Sequence, residues 1–291
     1  MSNIAIMGTH IERATRGLFV GEVVGYLRDD HLHTVAKVNA EFLVRSLIDR
    51  DFRDCLSGSD LNIADGTGVL WAGRFLTLKT TETPLLRQLQ ILWQALYSLS
   101  TLLIYPRFCR YPVPERIPGV EALYLMLEAA QEADASVYFL GAGKTVSEKA
   151  RERIRARYPG LQIAGGRDGY WTDDREVLGA INESGAKLLV VALGSPKQEF
   201  WIRDHSARLE SVRVAVGEGG SLDFIAGEFR RAPDWMQRMS LEWLWRLFMN
   251  KSKTRTGSRP LRVWNAVPVF VSRVVAWKMD HGVTSLDEPP G

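Results

Sequence analysis

Lys187-Leu188-Leu189-Val190-Val191-Ala192-Leu193, followed at once by Gly194-Ser195-Pro196-Lys197-Gln198-Glu199, decides the fold. An unbroken apolar run of strand length reads as a strand covered on both faces, the environment of a parallel sheet. The run stops at Gly194. Ser195 is a good helix N-cap and Pro196 suits a first helical position, so the chain is expected to pass through a tight turn into a helix. Such a turn gathers free backbone N–H groups and the positive end of a helix dipole, a setting that favours phosphate. Lys197 adds a mobile point charge. Ser195-x-x-Gln198 also has capping-box spacing, so Gln198 serves the cap, a ligand, or both.

The same grammar recurs on either side. Residues 35–40 read as a strand and 41–48 as the helix after it. Residues 61–64 form a short strand ending at the Asp65-Gly66 turn, before a helix over 67–75. Val120, Leu123, Tyr124 and Leu127 have helical spacing. Strands are expected at 136–140, 161–164 and 212–216, with helices over 145–158 and 173–184. The last strand is stopped by Gly217-Glu218-Gly219-Gly220. This alternation predicts a Rossmann-like α/β domain over residues 1–229: a mostly parallel sheet with helices on both faces. A helical C-terminal appendage is expected over 230–284, and a disordered tail over 285–291.

A chain of 291 residues carrying a formal charge of +3 is long enough for one large α/β domain, and has no global nucleic-acid signature. Its charge is uneven. Arg230, Arg231, Arg238, Arg246, Lys251, Lys253, Arg255, Arg259, Arg262, Arg273 and Lys278 crowd the last part, opposed up to Lys278 only by Asp234 and Glu242. That pattern points to an anionic partner: a membrane surface, a diphosphate or nucleic acid. Cys55 and Cys109 provide neither a disulfide framework nor a spaced metal site. Residues 1–8 lack the pattern of a signal peptide, so a cytoplasmic location is expected.

Two segments break the rhythm. Residues 89–105 lie in a stretch with no charge between Arg87 and Arg107. Gln90, Gln94, Ser98 and Thr101 recur as a polar stripe, opposite Ile91, Leu92, Trp93, Leu96, Leu99, Leu102 and Leu103. This predicts an amphipathic helix rather than a membrane span, either lying at a membrane interface or packed within the protein or a homo-oligomer. The second segment, from Trp235 onward, interleaves tryptophans and leucines with arginines and suits a lipid headgroup layer. Its last helix, over 263–277, is expected to kink or break at Pro268.

Asp65 ends a strand at the carboxyl edge of the sheet, where α/β enzymes place working groups, and a carboxylate there can take a proton from an attacking hydroxyl. By local chemistry alone Asp65-Gly66 reads first as a turn-forming pair. Asn39 ends a neighbouring strand. Gly141-Ala142-Gly143-Lys144-Thr145 is not a P-loop, because Tyr138 takes the first glycine position. Nor is it a dinucleotide fingerprint, since Val146 takes the third; it predicts a glycine turn that brings backbone close to a ligand. His31 and His33 alternate on an extended segment, and no metal site is expected there.

In order and spacing, the chain resembles the WecG/TagA/CpsF glycosyltransferases, glycosyltransferase family 26. The resemblance runs through Val38-Asn39-Ala40-Glu41, Ala64-Asp65-Gly66-Thr67-Gly68-Val69, Arg116-Ile117-Pro118-Gly119-Val120 and Asp168-Gly169-Tyr170. It continues through Gly194 to Glu199, Gly219-Gly220-Ser221-Leu222-Asp223-Phe224, Arg231-Ala232-Pro233 and Leu241-Glu242-Trp243-Leu244-Trp245-Arg246-Leu247. It implies an inverting, metal-independent transferase that needs no cofactor. Such an enzyme moves a sugar from a UDP-sugar to a polyprenyl-diphosphate-linked saccharide at the cytoplasmic face of the membrane. By similarity Asp65 is the general base, Asn39 lies beside it, and Arg116 and Gln198 contact donor or acceptor. Gly141, Gly194, Lys197, Glu199, Gly219, Arg231 and Arg238 are further candidates for the substrate cleft. Two departures stand out: Lys37 where some members carry Thr, suggesting an acidic sugar or a phosphate contact, and Glu218 in place of a small apolar residue, suggesting a hydrogen bond to a sugar hydroxyl. Residues 84–114 read as an insertion and a membrane-docking element. The competing expectation is a UDP-sugar-binding scaffold without catalysis.

Overall fold

The computed structural model describes residues 1–228 and 259–284. Six parallel strands form the central sheet: β3 (His33–Val38), β4 (Leu61–Ala64), β5 (Val137–Gly141), β6 (Ile163–Arg167), β7 (Leu188–Ala192) and β8 (Val214–Gly217), in the order β4-β3-β8-β7-β5-β6. The expected α/β architecture is therefore present. All five residues of β7 are buried, as its unbroken apolar run requires. Side chains alternate between faces: Leu188 and Val190 enter one core and Leu189 and Val191 another.

One face is covered by α1 (Arg16–Arg28), α6 (Gly119–Glu132), α7 (Lys144–Arg157) and the short α10 (Ser221–Ile225). The other carries α8 (Asp174–Glu183) and α9 (Lys197–His205) at one end. At its other end lie α2 (Ala40–Ile48), α3 (Arg50–Ser57), α4 (Thr67–Thr77), α5 (Pro84–Ile104) and α11 (Arg259–His281). A hairpin of β1 (Asn3–Ile6) and β2 (Thr9–Glu12) joins that second core through Ile4, Ile6 and Ile11. Met7 and Gly8 both take positive φ in its two-residue turn, the geometry that matches strand twist.

Several expectations change. The strand ends at Val38, not at residue 40, because Asn39 already caps α2: its Oδ1 accepts the Phe42 N–H at 3.1 Å. Pro268 neither ends nor interrupts α11, which runs on to His281. Lys278 does not face an anionic partner. It is fully buried, donating to Phe75 O, Leu78 O and Gln94 Oε1 at 2.5, 2.8 and 2.9 Å, and so ties α11 to the end of α4 and to α5.

Helix α5 is amphipathic as expected, but its polar stripe faces inward. Ser98 Oγ accepts the indole N–H of Trp71 at 2.9 Å, Gln90 Oε1 accepts the Thr81 N–H at 2.8 Å, and Gln94 donates to Lys79 O at 2.7 Å. Ile91 is buried with that stripe rather than standing opposite it. Leu85, Leu89, Trp93 and Leu96 point to solvent, Trp93 being 68% exposed. Among the described residues no helix is long and apolar enough to cross a membrane. Arg231, Arg238, the Trp235–Phe248 stretch and the tail over 285–291 lie outside the described residues.

Candidate active site at the carboxyl edge of the sheet

The register pairs Val38 of β3 with Ala64 of β4, so Asn39 and Asp65 leave the sheet side by side. The Asp65 N–H donates to Val38 O at 2.9 Å. The segment before α6 folds over this edge: the Ile117 N–H donates to Ala64 O, and the Gly119 N–H donates to Asp65 Oδ1, both at 2.8 Å. Asp65 therefore has its carboxylate held by a backbone donor from another element, and Arg116 stands on the same segment. Phe270 of α11 packs at this corner: a Cβ on Gly68, in the first turn of α4, would sit 3.2 Å from Phe270 Cε1, so a larger residue there would have to displace that ring slightly.

Lys37 and Glu218 form a buried ion pair at the ends of β3 and β8, with side chains 8% and 0% exposed. Burial pushes the Glu218 carboxyl above its usual range, against the pull of Lys37. These two residues are thus engaged with each other, and Glu218 offers no exposed surface to a sugar. Glu199, also buried, accepts from Gln198 Nε2 at 2.7 Å. Burial raises its pKa too, with the Gln198 hydrogen bond the largest opposing effect and Lys37 also lowering it.

The turn after β7 differs in detail from the expected cap. The Ser195–Pro196 peptide is cis, α9 starts at Lys197, and Pro196 occupies the N-cap position. Gln198 Oε1 accepts the Gly194 N–H at 3.1 Å, so the glutamine does reach back, one residue earlier than a capping box would. Gly194 has φ +78°, which favours glycine. A Cβ on Gly219 would lie 2.9 Å from both Gly194 Cα and Gln198 Oε1. The loops after β7 and β8 therefore lie in close contact, and the Glu218 N–H donates to Val191 O at 2.7 Å. Lys197 is exposed, with Nζ 6.0 Å from the Trp171 ring centre.

Gly141 lies close against the backbone of the neighbouring strand. Its φ is +109°, and a Cβ there would fall 2.5 Å from Ala192 O of the adjacent strand. Strands β5 and β7 lead into helices that turn to opposite sides, to β6 and to β8, which makes this pair a topological switch point of the kind where α/β folds bind ligands. At the other edge, Asp29 bonds both His31 and His33, at 3.2 and 2.8 Å, and Asp29, Asp30 and His31 gather on the surface. A separate cleft of about 650 Å³ lies between α2, α3 and α11, starting at Ala40 beside Asn39.

The site thus brings Asn39, Asp65, Arg116, Lys37, Glu218, Glu199, Gln198, Gly194 and Gly219 to one edge. Pattern reading missed the support from α11 and the mutual pairing of Lys37 and Glu218. The second was findable only as two unusual charges at strand ends.

Similarity to known proteins covers the same residues. The model of the glycosyl transferase WecG/TagA/CpsF family matches residues 4–96 and 100–283. Three relatives carry the name N-acetylglucosaminyldiphosphoundecaprenol N-acetyl-β-D-mannosaminyltransferase. The protein from Bacillus subtilis strain 168 is 31% identical over 216 residues, covering 74% of this chain and 71% of the relative. That from Bacillus spizizenii is 40% identical over 144 residues, 50% of this chain and 56% of the relative. That from Staphylococcus aureus strain MRSA252 is 31% identical over 169 residues, 58% of this chain and 63% of the relative. With the family model spanning nearly the whole described domain and the same edge residues gathered around Asp65, the chain belongs to the WecG/TagA/CpsF family of glycosyl transferases.

Proposed function

We propose that this protein transfers a hexose, N-acetylhexosamine or uronic acid from a UDP-sugar to a polyprenyl-diphosphate-linked saccharide, inverting the anomeric centre, in the assembly of a cell-surface polysaccharide. The observation that carries this is the placement of Asp65. Its carboxylate sits at the carboxyl end of β4, beside Asn39, with one oxygen fixed by the Gly119 N–H. An inverting transfer needs one base in line with the anomeric carbon and opposite the leaving diphosphate. Asp65 takes the proton of the acceptor hydroxyl, that oxygen attacks the anomeric carbon, and the bond to the UDP oxygen breaks.

Negative charge then builds on the departing diphosphate. The N-terminus of α9, with Lys197 as its first residue, supplies positive potential without requiring a metal, and the sequence from Arg230 onward is rich in further cations. The relatives' names specify an acceptor carried on a lipid diphosphate, which agrees with a protein that works at a membrane surface. The outward face of α5 fits that role. It is apolar and carries Trp93, Tyr97 and Tyr105, and the only charges from residue 84 to 114 are Arg87, Arg107 and Arg110. Aromatic and basic side chains around an apolar stripe suit the headgroup boundary of an anionic bilayer, here its cytoplasmic leaflet.

The test is UDP release by the purified protein with a lipid-diphosphate N-acetylglucosamine acceptor and a panel of UDP-sugars. Asp65→Asn is expected to cut turnover by about 10²–10⁴-fold, the range for loss of a positioned base, while UDP binding is retained. UDP binding without acceptor-dependent release from any donor favours the scaffold instead.

A further inference from the structure

The Lys37–Glu218 pair raises a question of energy. Burying two opposite charges seldom adds net stability, because desolvation offsets their attraction, and an apolar pair would fill the same space. Yet this pair sits at the working edge of the sheet. A Cβ on Gly119 would lie 3.0 Å from Lys37 Nζ and 3.5 Å from Asp65 Oδ2, so ammonium and carboxylate press against the same side of that glycine. The same glycine donates its N–H to Asp65 Oδ1.

The described charges around Lys37 come from every neighbouring element. Asp65 follows β4, Glu218 follows β8, and Glu199 comes from α9. Arg116 stands three residues ahead of Gly119, and the Ser221 hydroxyl at the start of α10 lies 3.6 Å from the Gly119 Cβ position. Asp65 and Glu218 repel each other, and Lys37 also attracts Glu199. Glu218 and Glu199 thus both act on Lys37, and Asp65 stands beside it at the Gly119 Cβ position.

We propose that Lys37 is a positioning residue for Asp65: Glu218 anchors its ammonium, and the ammonium stands on the Asp65 side of Gly119, where it favours the ionised carboxylate. This rests on Asp65 as the base. The two partners act with opposite sign. Lys37 favours ionised Asp65, whereas Glu218 disfavours it directly while holding Lys37 in place. A nearby opposite charge favours the ionised form of a carboxyl.

The test follows the Asp65 side chain in the full-length protein by carboxyl ¹³C NMR with labelled aspartate, its signal assigned by loss in Asp65→Asn. In Lys37→Met the Asp65 titration is expected about one unit or more higher than in the parent, tenfold less ionised at a given acidic pH. The double variant Lys37→Met/Glu218→Gln titrates higher than Glu218→Gln alone. The acid limb of the UDP-release profile moves the same way in each variant. An Asp65 titration in the double variant no higher than in Glu218→Gln overturns the proposal, even where Lys37→Met alone fails to fold. Normal transfer by Asp65→Asn removes the base assignment, and the NMR shifts then judge the electrostatic coupling separately.

Discussion

Replacing Lys278 by methionine tests how the last helix is held. The stem keeps its length and its packing on Phe75, but three acceptors lose their donor: Phe75 O, Leu78 O and Gln94 Oε1. A buried acceptor left unpaired costs about 1–3 kcal/mol. Relief from burying an ammonium works the other way. Burial pushes the Lys278 amine down to about 8. Against ~10.4 in the unfolded chain, that difference corresponds to roughly 3 kcal/mol. The three acceptors outweigh this relief, and the expected net loss at pH 7 is about 3 kcal/mol, measured by urea unfolding with tryptophan fluorescence.

The pH dependence has a definite sign. Between pH of about 8 and ~10.4 the unfolded chain still holds the Lys278 proton and the folded chain has released it. The unfolded state then binds more protons, so this group's contribution to stability grows as pH rises through that window. Methionine has no such term, so the gap between the two proteins widens by up to roughly 3 kcal/mol. Equal stability at pH 7, or a gap that narrows as pH rises, refutes the reasoning.

Other outcomes follow from the same geometry. Gly141→Ala is expected to destabilise the fold by several kcal/mol (order of magnitude for combined strain and overpacking), because its Cβ meets Ala192 O and its φ is positive; an unchanged urea midpoint contradicts this. Trp93→Glu with Leu96→Glu should leave circular dichroism and UDP binding intact but release the protein from anionic vesicles in co-sedimentation, since both side chains point outward. Undiminished sedimentation removes α5 from membrane docking. Turnover should survive exhaustive chelation of divalent ions; loss restored by adding magnesium would refute metal independence.

How much was legible in the sequence depends on the range of the interactions. The β7 run and its glycine stop needed only local pattern, and so did Asp65-Gly66 as a strand end. Interactions between elements were another matter. The chemistry of Gln90, Gln94 and Ser98 is visible in sequence, but which side of α5 they face is not. Helical periodicity separates polar from apolar residues without saying which stripe meets the body, and here Trp71, Lys79 and Lys278 supply the partners that draw the polar one in. Gly141 shows the same limit: a glycine in a turn signals close approach, and only the neighbouring strand shows that the approaching group is Ala192.

By itself the sequence determined the alternation of strands and helices, the parallel sheet and the family, because these rest on short-range periodicity and ordered motifs. Tertiary structure alone decided that Lys37 faces Glu218 beside Asp65, that Gln198 lies against Gly219 of the next loop, and that Lys278 is buried. Those pairings join residues 181, 21 and 184 positions apart, as with Lys37–Glu218, Gln198–Gly219 and Gln94–Lys278. Charge and hydrogen bonding act through distance in space, and sequence spacing carries no record of that distance until the sheet brings its strand ends together.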